Sequence, residues 1–380
     1  MSENESEVFN KIQDYFNGML VIYNQLLAFL DEEKDEEANY TKLINSLNQI
    51  KIKEDRSKLR EFLHLILSIS NDHHRTANFF EKIEKILTNF VSEMKNFYSE
   101  EEIFNVFKDN FRLIYFLVNE KVINLDSTIL NLVKHGQYGQ FFMYYFGLEE
   151  KLDKREKFIF FEEKNQNGTF KKNQLEGEND ILICQLIRND SIEEFIQLFN
   201  SSKLNSNSTV LPSQFETNRF LNMNLENISL IEYAAFFGSI QIFKFLLLQK
   251  VVLTSPIWIY AIHGRNYEII HLLEENNVKM QVNLCISESI KCHHNELTEY
   301  LLNNFENSIE KFFLNQSLSC NNYSEIVNYF QNVNNFDKFN LLFNLACKFD
   351  YFHICEYILK LQNFDVNKKI ISCLCFYVVH

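Results

Sequence analysis

The chain has 380 residues, a formal net charge of −14, eight glycines and two prolines. So few turn-forming residues exclude a sheet-rich fold and leave helices joined by short polar links. The charge disfavours nucleic acid and anionic membrane surfaces, whose phosphates would repel it, and beyond that an acidic balance usually serves solubility.

Residues 1–100 carry helical periodicity and an acidic knot, DEEKDEE, and are expected to form an N-terminal helical region or cap for the first repeat. The opening MSENESEVFN is acidic and polar, unlike a secretory leader, and GMLVIYNQLLAFL is too short to span a bilayer. A cytoplasmic location with eight reduced cysteines is the expectation. Within 101–148, IFNVFKDNFRLIYFLVNE and STILNLVKHGQYGQFFMYYF read as degenerate hairpins, with Arg112 and Gln140 in the same register. GQYG (136–139) imitates a phosphate clamp, but without basic neighbours it reads as a hairpin turn. A charged insertion fills 149–179.

From 180 to 380 the pattern is a row of helical hairpins, near 180–199, 229–249, 255–274, 285–303, 315–331 and 340–361, with an Asn/Ser-rich loop at 200–228. SLIEYAAFFGSIQIFKFLLLQ shows the unit. Ser229 and Glu232 make a capping box, Ala234 and Ala235 permit close approach of a neighbour, and Gly238 makes the turn. Ile242, Phe243, Phe245 and Leu246 then form a buried stripe. Ser191 with Glu194 predicts a second box, and Ser255 a cap with Pro256 at the first helical position. The residues that open each outer stripe, Gln241, Glu268, Glu296, Glu325 and His353, lie 27, 28, 29 and 28 apart. A hairpin this small cannot bury its own apolar face, so copies must stack. His293, Asn322 and Asp350 stand where a glycine is expected.

The layout of small–small–x–x–Gly/polar–polar–x–Glu–Ile–(Ile/Val)–x–x–Leu–Leu resembles the ankyrin repeat over roughly 180–367, and LQNFDVN is similar to an ankyrin loop. IEYAAFFGSIQIFKFLL, WIYAIHGRNYEIIHLLEENNV and IKCHHNEL resemble an expanded family of uncharacterised ankyrin-type proteins of single-celled parasitic eukaryotes. The resemblance implies an all-α, ankyrin-type helical-hairpin solenoid and brings no activity with it. The spacing is about five residues short of the usual ankyrin repeat of about 33, which predicts truncated fingers between units.

No phosphate-cradling loop, HExxH, GxSxG or EF-hand pattern occurs, so no catalytic residue, cofactor or metal is expected. Cys292-His293-His294 and the pair His353/Cys355 are the most metal-like clusters, but adjacent residues at a helix end point different ways. Cys373-x-Cys375 lacks the spacing of a redox pair. The expected function is a non-catalytic adapter holding a partner protein on a concave face. Tyr233, Phe236, Phe237, Tyr260, His263, Glu288, Lys291, Lys348 and Phe349 would project from it, Cys292 lying beside Lys291. The alternatives are a self-associating element driven by the apolar end IISCLCFYVVH, and an enzyme in the N-terminal 178 residues.

Overall fold

The computed structural model describes residues 3–364 apart from 33, 77, 135–141, 144, 149–168, 203, 206, 224–227, 305–309, 333–337 and 362–363. Among the described residues the chain forms twenty-two α-helices and no strand, so the all-α expectation holds. The GQYG turn, Gln140, most of the charged insertion and the C-terminal run with Cys373 and Cys375 lie outside the described residues.

Two compact units divide the chain, one of residues 1–68 with 295–380, the other of 69–294. The helices begin with α1 (Glu3–Asp31), α2 (Glu36–Gln49), α3 (Arg56–Asp72), α4 (Phe79–Thr88) and α5 (Val91–Phe97). Next come α6 (Glu100–Phe107), α7 (Phe111–Asn119), α8 (Ser127–Lys134) and α9 (Thr169–Glu176). The predicted hairpins follow as α10 (Leu182–Arg188) with α11 (Ile192–Ser201), then, after α12 (Arg219–Met223), α13 (Leu230–Phe236) with α14 (Ile240–Leu248). The next are α15 (Ile257–Gly264) with α16 (Tyr267–Glu275), and α17 (Val282–Lys291) with α18 (Asn295–Asn304). The last two are α19 (Glu310–Ser319) with α20 (Tyr323–Gln331), and α21 (Phe339–Lys348) with α22 (Phe352–Leu359).

Within residues 69–294, first helices pack on first helices: α10 on α13, α13 on α15, α15 on α17. Second helices do likewise, α11 on α14 and α14 on α16. The turns explain this order. Asp190, Gly238, Arg265, His293, Asn321 and Asp350 all take positive φ, and the last five are spaced by 27, 28, 28 and 29 residues. The residue after the turn sends its N–H back five positions, from Ser191 to Leu186 (3.0 Å), Ser239 to Ala234 (2.9 Å) and His294 to Ser289 (2.9 Å). Asn322 to Ser317 (3.0 Å) and Tyr351 to Ala346 (2.9 Å) repeat it in the other unit. This is the closure by which a left-handed residue satisfies a helix's last carbonyls. His293 and Asp350 thus stand in for glycine as expected. Asn322 does not: its φ is −80°, Asn321 makes the turn, and the Asn322 side chain caps α20 at Glu325 N.

Small residues mark where hairpins meet. Ala234, Ala261, Ser289, Ser317 and Ala346 are all buried. The tightest approach is at Gly264, where an added Cβ would lie 2.0 Å from the Ala235 carbonyl oxygen. That contact explains why a phenylalanine-rich chain keeps glycine at 264. Turns also bond to turns: Asn266 Nδ2 donates to Gly238 O (2.8 Å), and Ser239 Oγ donates to Ile187 O (2.5 Å).

The Ser229–Glu232 capping box forms as predicted. The one at Ser191 does not. Asp190 turns its carboxylate outward to accept Gln241 N and Ile242 N, each at 3.0 Å, so it caps the neighbouring hairpin's α14. Pro256 precedes the first residue of α15, and no Ser255 cap bond forms.

In the unit of residues 1–68 and 295–380, α1 buries Phe9, Ile12, Phe16, Met19, Tyr23 and Leu26, the three-and-four spacing of one helix face. It packs on α2, α20 and α22. Phe16 stacks on Phe330 at 5.3 Å, and Tyr23 Oη reaches Asn322 Oδ1 at 3.4 Å.

Candidate functional site

The expected partner-binding residues divide between the two units. Tyr233, Phe236, Phe237, Tyr260, His263, Glu288 and Lys291 fall in residues 69–294, while Lys348 and Phe349 belong to the other. The first group does converge, but not as an open surface. Tyr233, Phe236, Tyr260 and His263 are buried, with Phe236 the most accessible of them together with Tyr260, at 7%. Phe236, Tyr260 and His263 are covered by Phe220 on α12, within the predicted loop at 200–228. Its ring centroid lies 4.5 Å from His263, 5.0 Å from Tyr260 and 5.7 Å from Phe236, parallel to the last within 8°. The segment around Phe220 is pinned. Thr217 N and Oγ1 both donate to Gly177 O, Asn218 N donates to Glu216 Oε1 at 2.8 Å, and Val210 N bonds Ile228 O. These four residues are therefore core. Only Phe237, Glu288 and Lys291 of this group keep partial exposure.

Beside the aromatic slot lies a polar relay. His263 Nε2 donates to Glu288 Oε1 at 2.8 Å, and Cys292 Sγ stands 3.4 Å from His263 Nδ1. The carboxylate requires a proton on Nε2, and in the neutral ring this leaves Nδ1 as the acceptor for the thiol. Lys291 Nζ bridges Glu288 (3.0 Å) and Asp72 (3.1 Å). Burial opposes ionisation of Glu288, yet His263 and Lys291 together hold its carboxyl down at about 2. Burial likewise opposes the Lys291 charge, and Asp72 and Glu288 outweigh it, keeping the ammonium above its usual range.

Thiol, imidazole and carboxylate in that order are the parts of an activated cysteine nucleophile. Here the sulfur belongs to a residue only 1% exposed, and the relay ties α17 to α15. His263, Glu288 and Cys292 are also a group of potential metal donors among the described residues. The ring, however, faces the thiol with one nitrogen and the carboxylate with the other. A single ion takes one imidazole nitrogen, so these rotamers form a hydrogen-bond chain and not a coordination sphere. Sequence reading grouped Cys292 with the wrong histidines. His293 occupies the left-handed turn with its ring 6.3 Å from His73, and His294 lies edge-on to Tyr267 at 5.6 Å. The second cluster also parts: His353 pairs with Asp55 and Glu356, Cys355 with Cys347. The 29-residue step from His263 to Cys292, close to the turn spacing, was the available signal.

A cavity of about 440 Å³ opens elsewhere in residues 69–294, lined by Arg75, Phe80, Lys172, Glu178, Gln185 and Arg188 among others. Arg75 Nη1 pairs with Glu178 at 2.7 Å and the guanidinium lies over Phe80. No histidine or cysteine lines it, so it offers binding groups without a nucleophile–base pair.

The other unit holds a buried acid. Glu61 accepts Tyr15 Oη at 2.5 Å and Tyr323 Oη at 2.6 Å, and burial raises its carboxyl to about 7 against the pull of those two hydrogen bonds. A raised folded value means stability is fully present below about pH 4.5 and declines as pH rises towards 7. Glu61→Gln is expected to remove up to about 3 kcal/mol of that decline. Urea midpoints at pH 5 and pH 8 test it: the wild type should lose more between them than the variant, and parallel losses would refute the assignment. Part of the slope will persist, because burial also raises Glu216 and Glu325 to about 7.

Comparison of the chain with family models, with curated proteins and with solved structures finds no match.

Proposed function

We propose that the protein is a non-catalytic, ankyrin-type scaffold that holds another protein through the outward ends of its hairpins. The recurrence of one positive-φ turn and the same small buried residue at steps of 27 to 29, with the same backbone closure at four of those five turns, supports the reading. Such bricks bury their faces on each other and leave helix ends for recognition. Of the expected anchors, Lys348 stays exposed and Phe349 half-buried, with the ammonium 4.8 Å from the ring centroid. An aromatic ring with a cation over it is the kind of group that carries binding energy at interfaces. The inner slot of residues 69–294 is filled by Phe220 of the same chain, so the partner meets the rim and not that slot.

Full-length wild type and a Lys348→Glu/Phe349→Ala variant, matched by circular dichroism, are the baits to compare by affinity capture and mass spectrometry. At least one protein should be retained by the wild type and reduced tenfold or more on the variant. Identical retained sets would remove this face from the proposal.

A further inference from the structure

We propose that Cys347 and Cys355 are a dithiol site that a small-molecule disulfide, of the glutathione class, converts to an intramolecular disulfide across the α21–α22 hairpin. The two sulfurs lie 3.5 Å apart, Cys347 in the last turn of α21 and Cys355 near the start of α22. A disulfide needs about 2.05 Å, a closure that side-chain rotation supplies. Both residues are half-buried, so a small reagent reaches them. The other described cysteines, Cys184, Cys285, Cys292 and Cys320, are buried. Burial also pushes the Cys184 and Cys285 thiols up to about 12, which leaves almost no thiolate to react at neutral pH.

The chemistry balances in two exchanges. One cysteine thiolate attacks a sulfur of the small disulfide, forming a mixed disulfide and releasing one small thiolate. The neighbouring cysteine then attacks the protein-side sulfur, forming the Cys347–Cys355 bond and releasing the second. Two electrons pass to the small disulfide, and the two cysteine protons end on the two small thiols. Oxidation ties α21 to α22 across the turn Phe349–Tyr351, beside Lys348. The inference does not depend on the proposed scaffold role.

Trypsin separates the two cysteines, because cleavage after Lys338, Lys348 and Lys360 gives the peptides 339–348 and 349–360 with one cysteine each. Full-length protein is incubated with oxidised glutathione, blocked with N-ethylmaleimide in acid, and digested. The expected product is the two peptides joined, two hydrogens lighter than their sum, with no glutathione attached. Cys347→Ser should instead leave glutathione on Cys355, because no second thiol releases it. The oxidised wild type should also melt higher than the reduced form, and Cys347→Ser should show no such shift. Glutathione retained on Cys347 or Cys355 in the wild type, or the joined peptide missing at any ratio of oxidised to reduced glutathione, overturns the proposal.

Discussion

Gly264→Ala is expected to destabilise the unit of residues 69–294 by about 4 kcal/mol or more, a loss that thermal melting by circular dichroism reads directly. The added methyl would sit 2.0 Å from Ala235 O and 2.9 Å from Gly238 N, both backbone atoms of the preceding hairpin. A flexible side chain could swing aside, but a backbone fixed by the Gly238 turn and the Asn266–Gly238 bond cannot. Relief requires moving one hairpin off the next, which strips contacts from Ala234, Ala261 and their neighbours together. Gly18→Ala is the control. Nothing lies within 4 Å of its added Cβ in the middle of α1, and removing glycine from a helix interior should gain about 0.5–1 kcal/mol. Equal melting points for the two variants would show that the hairpins are not packed this closely.

Phe236→Ala should cost about 3–4 kcal/mol. Its ring packs against Phe220 and against His263, whose centroid is 4.9 Å away, with Phe237 edge-on at 5.0 Å. Truncation would leave a cavity that three other rings cannot collapse to fill. Urea denaturation followed by helicity provides the measurement. An unchanged midpoint would restore Phe236 to the surface role that its place on the inner helix suggests.

That contrast shows what the sequence carries and what it hides. Local, repeated chemistry was legible: Ser229 with Glu232 as a cap, Gly238 as a turn, Ala234 and Ala235 at a close contact, and the apolar stripe of Ile242, Phe243 and Leu246. Each depends on residues within a few positions of each other. The burial of Phe236, Tyr260 and His263 depends on Phe220, which follows a 17-residue stretch with no hairpin pattern of its own. An aromatic ring facing a partner and one facing a docked loop have the same spacing, so periodicity cannot separate them. Asp190 escaped for a similar reason. The expected cap lay at Ser191, within one hairpin, whereas the Asp190 carboxylate caps the next one. Glu61 gave no signal at all, since a lone glutamate in a helix reads as solvated until Tyr15 and Tyr323 are seen to close over it.

The unit that joins residues 1–68 to 295–380 has a consequence for biosynthesis. The oily face of α1 finds Asn322, Tyr323 and Phe330 only after some 250 further residues have left the ribosome following α3, which takes about 12–50 s at ordinary translation rates. During that interval α1 has α2 as a partner, but Phe9 and Phe16, which pack on Phe330, are open to any nascent-chain chaperone within reach.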